Sequence, residues 1–205
     1  MKIGIMGGTF DPIHNGHLML GETAYQQFDL DEVWFMPNGN PPHKRQNTIG
    51  SDVDDRLRMV ELAIAGRDYF RLEDYEARKT EVSCSYATLE YMKEKYPDNE
   101  FYFIIGSDSL FSIERWVKPE RIFPTCTILA AFRDDIDTSE EMNQQIQYLK
   151  EKYHARIELL VSPLIRVSSS MLRENLKEKK TIHGMVPDVV EAYIVERGLY
   201  GSEDC

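Results

Sequence analysis

Two histidines, His14 and His17, stand three residues apart behind a glycine pair, in the run Gly7-Gly8-Thr9-Phe10-Asp11-Pro12-Ile13-His14-Asn15-Gly16-His17. Imidazoles so placed suit phosphate: each donates a hydrogen bond or, when protonated, offsets charge as it develops. Glycines let the backbone approach a ligand with bare N–H groups. A helix beginning near Gly16 aims the positive end of its dipole at the same spot. A histidine pair alone is an ordinary structural feature; the combination of strand, glycines, H-x-G-H and helix points to a phosphate cradle. Zinc is a rival use of two histidines one turn apart. However, the glutamate of H-E-x-x-H is missing, and no cluster of Cys or His supplies further ligands. A dinucleotide oxidoreductase fits no better. Gly4, Gly7 and Gly8 do not form G-x-G-x-x-G, and the second apolar run ends in Met36-Pro37 rather than in an acidic residue for a ribose.

Three further runs carry unusual residues. Pro41-Pro42-His43-Lys44-Arg45 sets a basic cluster behind a rigid step, a phosphate clamp or simply a solvated loop. Gly106-Ser107-Asp108 offers close backbone approach and a carboxylate for a sugar hydroxyl, with Trp116 following as a stacking platform or a core residue. In Val167-Ser168-Ser169-Ser170-Met171-Leu172-Arg173, serines cap a helix and Arg173 lies one turn beyond Ser169 on the same face.

These runs must be positioned by a scaffold, and the pattern of the chain supplies one. Strand-length apolar runs at Lys2–Met6, Val33–Met36, Phe70–Tyr75, Phe101–Ile105, Thr127–Phe132 and Ile157–Val161 alternate with helix-period segments. The helices fall on the stretch from Leu18 to Phe28, then Asp55–Ala65, Tyr86–Tyr96, Glu140–Tyr153, Ser169–Lys179 and Asp188–Glu196, with Gly198 a candidate C-terminal cap. Strands that read as unbroken apolar runs, such as Phe101-Tyr102-Phe103-Ile104-Ile105, are covered on both faces. The expectation is an α/β, Rossmann-like, doubly wound and mostly parallel sheet of about six strands with helices on both faces. One domain over 1–205 is expected, its C-terminal part from about 163 to 200 forming a helical extension. Flexible segments are expected at Asn38–Asp54 and Asp134–Glu140, with a frayed tail from Gly201 to Cys205. In such sheets ligands sit beyond the carboxyl ends of the strands, where the three runs and the histidine loop fall.

Bulk properties narrow the partners. A formal charge of −11 argues against nucleic acid and requires a local basic site for any polyphosphate. Three scattered cysteines fit a reducing cytosol, and no apolar run approaches the length of a membrane span.

The run from Gly7 to His17 resembles the opening motif of the H-x-G-H nucleotidylyltransferases. Its full G-G-T-F-D-P-I-H-x-G-H form is similar to that of the bacterial nicotinate mononucleotide adenylyltransferases. The serine run resembles the I-S-S-T-x-I-R element of that superfamily, with Val167, Ser170 and Leu172 as mild replacements. Pro41-Pro42-His43-Lys44 and the G-x-D followed by tryptophan also match. Departures lie at Glu81-Val82-Ser83-Cys84-Ser85, where the family has G-P-S-Y-T, and at Arg133-Asp134-Asp135, where it often has R-P-G.

The resemblance implies transfer of an adenylyl group from ATP to nicotinate mononucleotide, with Mg2+ arriving with ATP. It implies catalytic roles for His14, His17, Lys44 and Arg173. ATP would be held by Gly7, Gly8, Thr9, Phe10 and Gly16, and by Gly106, Asp108, Ser168 and Ser169. The mononucleotide would meet Asn40, His43, Ser85, Tyr86, Trp116 and Arg133. A different transfer in the same superfamily, such as to phosphopantetheine, and a nucleotide sensor without turnover are the alternatives. A homodimer through Glu140–Tyr153 or the C-terminal helices is a further expectation.

Overall fold

The computed structural model describes residues 1–39, 49–132, 139–163 and 166–204. Among them six strands form one sheet, all parallel, in the order β3-β2-β1-β4-β5-β6. The strands are β1 (Lys2–Gly8), β2 (Glu32–Pro37), β3 (Phe70–Leu72), β4 (Glu100–Gly106), β5 (Thr127–Phe132) and β6 (Arg156–Val161). The order reverses between β1 and β4, which pair directly from Lys2 opposite Glu100 to Ile5 opposite Phe103. That reversal opens a crevice at the carboxyl ends of these two strands.

Both faces of the sheet are covered, which explains the continuous apolar runs. Val33, Phe35, Ile104 and Leu129 face one core with α1 (Asn15–Phe28), α2 (Val53–Ile64), α6 (Ser169–Lys177) and α7 (Asp188–Glu196). Ile3, Ile5, Trp34, Phe101, Phe103 and Ile128 face the other, with α3 (Ser85–Lys95), α4 (Ser107–Ser112) and α5 (Ser139–Tyr153). Wholly buried side chains such as Ile3, Phe35 and Ile128 contribute about 2 kcal/mol each by leaving water.

Several boundaries differ from the sequence expectation, each for a local reason. Helix α2 starts two residues early because Asp52 caps it, accepting the Asp55 N–H at 2.8 Å. Asp55 is then freed to face inward, where Tyr193 (2.7 Å) and Arg197 (3.2 Å) of α7 donate to it. Strand β3 stops at Leu72, and the Arg78 N–H closes a turn on the Asp74 carbonyl at 3.0 Å. Helix α6 ends at Lys177 in a Schellman arrangement, with Lys179 left-handed and Lys180 N–H bonded to the Asn175 carbonyl at 2.8 Å. Gly198 takes a positive φ of 60° just past α7, as its position suggested. Short 3-10 turns at Ile113–Arg115 and Pro119–Arg121, and the six-residue α4, had no periodic signal.

The tail requires a correction. Instead of fraying from Gly201, Leu199–Asp204 forms two short 3-10 turns joined by a kink at Tyr200 and Gly201, with Tyr200 and Ser202 buried. Ser202 Oγ donates to the Ile194 carbonyl at 2.9 Å, which anchors the segment to α7. Of the stretch Asn38–Asp54, Gly50 and Ser51 are held by hydrogen bonds to Asp11; residues 40–48, and with them Asn40, His43 and Lys44, lie outside the described residues. Arg133 does too.

Gly39 shows how closely the loops at this end pack. A Cβ added there would lie 2.8 Å from the Glu76 carbonyl oxygen and 3.1 Å from those of Ala77 and Lys79. Backbone atoms cannot swing aside as a side chain does, so Gly39→Ala is expected to cost about 1–3 kcal/mol, read as a lower urea midpoint.

Candidate active site

Beyond the carboxyl ends of β1 and β4 lies a cavity of about 470 Å3. One wall is the loop after β1: Gly7, Gly8, Thr9 and His17 line it. The opposite wall is the start of α3, with Ser83, Cys84, Ser85 and Thr88, and Trp116 and Val117 close one end. Gly106, at the head of α4, completes the lining from β4.

The glycines here divide by function. A Cβ on Gly8 would strike the Phe10 ring at 2.9 Å, so Gly8 is needed for packing. A Cβ on Gly106 would meet nothing within 4 Å, and one on Gly7 only Phe103 at 3.9 Å. At these two positions the protein itself leaves the space open, on the cavity side. Phe10, by contrast, is 1% exposed and serves as a plug beneath the loop rather than as a wall.

The histidines are arranged as a stack, ring centroids 3.7 Å apart and planes inclined by 22°. The His14 backbone N–H donates to His17 Nδ1 at 3.2 Å, so the remaining proton of a neutral His17 sits on Nε2. His14 is buried beneath, with Nδ1 lacking any hydrogen-bond partner. Burial pulls its pKa from 6.5 down to about 4, so near neutrality it carries no charge. A cationic pair is therefore not the resting state of this site. Gly16 lies half-buried in the first turn of α1, whose N-terminus is held from the far end of the chain: Asn15 N–H bonds the Met185 carbonyl at 2.9 Å and Asn15 Nδ2 the Gly184 carbonyl at 2.8 Å.

The serine and arginine run reaches the same loop from below. Ser168 caps α6 by accepting the Met171 N–H at 3.2 Å. Ser169 Oγ donates to the Pro12 carbonyl at 2.9 Å, and Arg173 Nη1 to the Asp11 carbonyl at 2.7 Å. The one-turn spacing of these two residues thus places both on the H-x-G-H loop. Arg173 remains partly exposed, its side chain at 22%.

On the opposite wall, Ser85 lines the cavity while Tyr86 packs away from it, under Lys118 and Arg121 at 5.2 and 4.7 Å. Asp108, in the first turn of α4, is exposed outside the lining. Trp116 is half-buried, edge-on to Phe103 with centroids 6.3 Å apart, so its ring is a wall rather than a core residue.

Arg56, Glu76 and Asn38 carried no motif, and Ser83 stood in the Glu81–Ser85 run without an assigned role. Arg56 is 1% exposed and donates through Nη1 to the Thr9 carbonyl at 2.8 Å and the Asn38 carbonyl at 2.7 Å, joining the loops after β1 and β2. Burial lowers its pKa, partly offset by the charge of Asp11. Its sequence signal was a cation on the apolar face shared by Met59, Val60 and Ala63. Glu76 lines the cavity and accepts from Thr88 Oγ1 at 2.6 Å; burial raises its pKa. Asn38 Oδ1 and Ser83 Oγ, both on lining residues, are buried without partners. Buried polar atoms left unpaired next to a cavity mark places where a ligand group completes the bonding.

The Cytidylyltransferase-like family model matches residues 5–175. The probable nicotinate-nucleotide adenylyltransferase of Lachnoclostridium phytofermentans is 45% identical over 199 residues, covering 97% of this chain and 98% of the relative. That of Bacillus licheniformis is 36% identical over 199 residues, again covering 97% and 98%. This chain belongs to the cytidylyltransferase-like family, among its nicotinate-nucleotide adenylyltransferases. The same fold occurs in the nicotinic acid mononucleotide adenylyltransferase of Plasmodium falciparum complexed with NaAD, at 23% identity and a TM-score of 0.79 over 97% of each chain. For this family member the sheet order, the crevice at β1 and β4 and the H-x-G-H loop form one continuous structural unit. Among the described residues no helix is long and apolar enough to cross a membrane.

The depressed pKa of His14 has a consequence for stability. The unfolded chain takes up a proton below about 6.5, whereas the folded histidine resists one until about 4. Its contribution is present above pH 6.5 and is lost as pH falls toward 4, a difference of about 3 kcal/mol. Urea unfolding of His14→Gln should therefore show a flatter decline over that window than the parent; parallel curves would remove the assignment.

Proposed function

We propose that the chain transfers the adenylyl group of ATP to nicotinate mononucleotide, giving nicotinate adenine dinucleotide and pyrophosphate. The observation that carries this reading is that one cavity is bounded on one side by the H-x-G-H loop and on the other by Ser83–Ser85 and Trp116. A reaction between two nucleotides needs its phosphates brought together in one space with their two bases held apart, and the cavity supplies both ends.

The chemistry asks little of the protein by way of bond-making. The 5′-phosphate of the mononucleotide is already an anion near neutral pH and needs no general base. Its oxygen attacks the α-phosphorus of ATP, the bond from that phosphorus to the bridging oxygen breaks, and pyrophosphate leaves with the electron pair. Alignment of two polyanions and stabilisation of the charge on the leaving group remain to be supplied. His17 and the Gly16 N–H in the first turn of α1 serve as donors on the ATP side, with Arg173 beside the loop and Lys44 from the segment after β2. Gly7, Gly8, Thr9 and Gly106 give the nucleotide close access, while Ser169 holds the loop and Ser168 caps the helix that carries it. Ser85, the unpaired Ser83 Oγ and the face of Trp116 receive the pyridine end.

Mg2+ enters with ATP as part of the substrate and neutralises phosphate charge. The donor set fits that role: Glu76 is the single carboxyl among the described lining residues, so phosphate oxygens and water would supply most of the ligands of the ion. We further propose that the whole chain acts as one nucleotidylyltransferase unit, with the segment from about 163 to 200 its helical extension. A cytoplasmic setting suits the free Cys84 and Cys126.

Pyrophosphate release from ATP in the presence of nicotinate mononucleotide, nicotinamide mononucleotide or phosphopantetheine tests the reading directly, and turnover with phosphopantetheine alone would overturn it. His17→Ala should keep the fold and lose at least ~10²-fold in kcat, the scale for one preorganised donor. Trp116→Ala should raise KM for the mononucleotide about tenfold, as expected for a lost stacking contact, with a smaller effect on ATP. Steady-state kinetics with each substrate varied in turn check both.

A further inference from the structure

Asp11 lies between the glycine pair and the first histidine, and it is 2% exposed. Its carboxylate is shared among distant parts of the chain. Gly50 N–H donates to Oδ2 at 2.7 Å, Ser51 Oγ to Oδ1 at 2.6 Å, and Tyr200 Oη to Oδ1 at 2.7 Å across 189 residues of sequence. Arg173 stands at the same place but is bonded differently. Its Nη1 donates to the Asp11 main-chain carbonyl at 2.7 Å and stays 3.7 Å from Oδ2, too far for a hydrogen bond. A carboxylate and a guanidinium that close normally join in a bidentate pair. Here the carboxylate is already occupied by neutral donors.

We propose that Tyr200 is a positioning residue for ATP: by donating its hydroxyl to Asp11 Oδ1 it takes one of the two oxygens that a bidentate pair with Arg173 would need, so the Arg173–Asp11 contact stays a loose ion pair at 3.7 Å and the guanidinium can meet the triphosphate. The packing supports a direct coupling. A Cβ added to Gly50 would lie 2.9 Å from the Tyr200 ring and 3.1 Å from Arg173 Cδ, so the three residues are in close contact around Asp11. The phenol also stays a donor at working pH, since burial, followed by the Asp11 charge, pushes its pKa well above the ordinary 10.0. The inference rests on the reading of Arg173 as an ATP-handling group.

Tyr200→Phe keeps the ring and removes only the hydroxyl. KM for ATP should rise about tenfold, the scale of a hydrogen bond to a charged group, while KM for the mononucleotide stays within about twofold. The decisive measurement repeats the substitution in Arg173→Ala. If Tyr200 acts through Arg173, the second change adds nothing to the ATP defect already present. An equal further rise in that background overturns the inference, as does an equal loss for both substrates or no change in either. Should Tyr200→Phe be too unstable to assay, Ser51→Ala removes the other hydroxyl from the same oxygen and must give the same selective effect. Arg173→Ala with normal ATP dependence would remove the reading of Arg173 itself, and the inference with it; a normal Arg173 defect joined to an additive Tyr200 effect overturns the inference alone.

Discussion

A loop that is to bind a polyanion must present its N–H groups outward, and then its carbonyls and any acidic side chain point back into the protein, where they need partners. That requirement governs the loop after β1. The carbonyl of Thr9 is bonded by Arg56, that of Asp11 by Arg173 and that of Pro12 by Ser169. The Asp11 carboxylate is bonded by Gly50, Ser51 and Tyr200. Buried polar groups left without such partners cost about 1–3 kcal/mol each, so the loop holds its shape only because these donors are in place.

Three of these six partners, Ser169, Arg173 and Tyr200, come from the far end of the chain. Helices α6 and α7 and the final 3-10 segment add no strand to the sheet, yet they reach the first loop through Ser169, Arg173, Tyr200 and the carbonyls of Gly184 and Met185. The C-terminal extension is thus the underside of the phosphate site. The link through Asp55, Tyr193 and Arg197 fastens α7 to α2, and α2 carries Arg56 to the same loop. Arg173 apart, a substitution in any of these helices acts on the loop after β1 through this bonded frame rather than through the ligand.

The opposite wall follows a different logic. There the side chains are small and the polar atoms incompletely satisfied, as at Ser83 Oγ and Asn38 Oδ1, and a glycine at 106 leaves open space. The rigid half and the open half meet in one cavity at the strand-order reversal. Rigidity suits the group that must hold a triphosphate in line, and open space suits the entry of a second substrate. Cys84 belongs to this open half.

The sequence by itself determined the sheet and its helices, because strands buried on both faces need unbroken apolar runs and helices need a repeating stripe; those patterns are local and survive without coordinates. It also determined the H-x-G-H loop and the one-turn pairing of Ser169 with Arg173, since both are fixed by spacing within a single element. Only the tertiary structure decided that Tyr200 bonds Asp11 and that Ser202 is tied in rather than frayed, that His14 is neutral, that Tyr86 turns away from the cavity and that Arg56 joins two loops. Each of those outcomes depends on what lies across a gap of many residues: a donor 189 positions away, the burial of an imidazole, the direction of one side chain at a helix start. Local pattern specifies which face of an element is apolar, but the partner of a buried polar group is chosen only when the elements meet, and here that choice shapes the site.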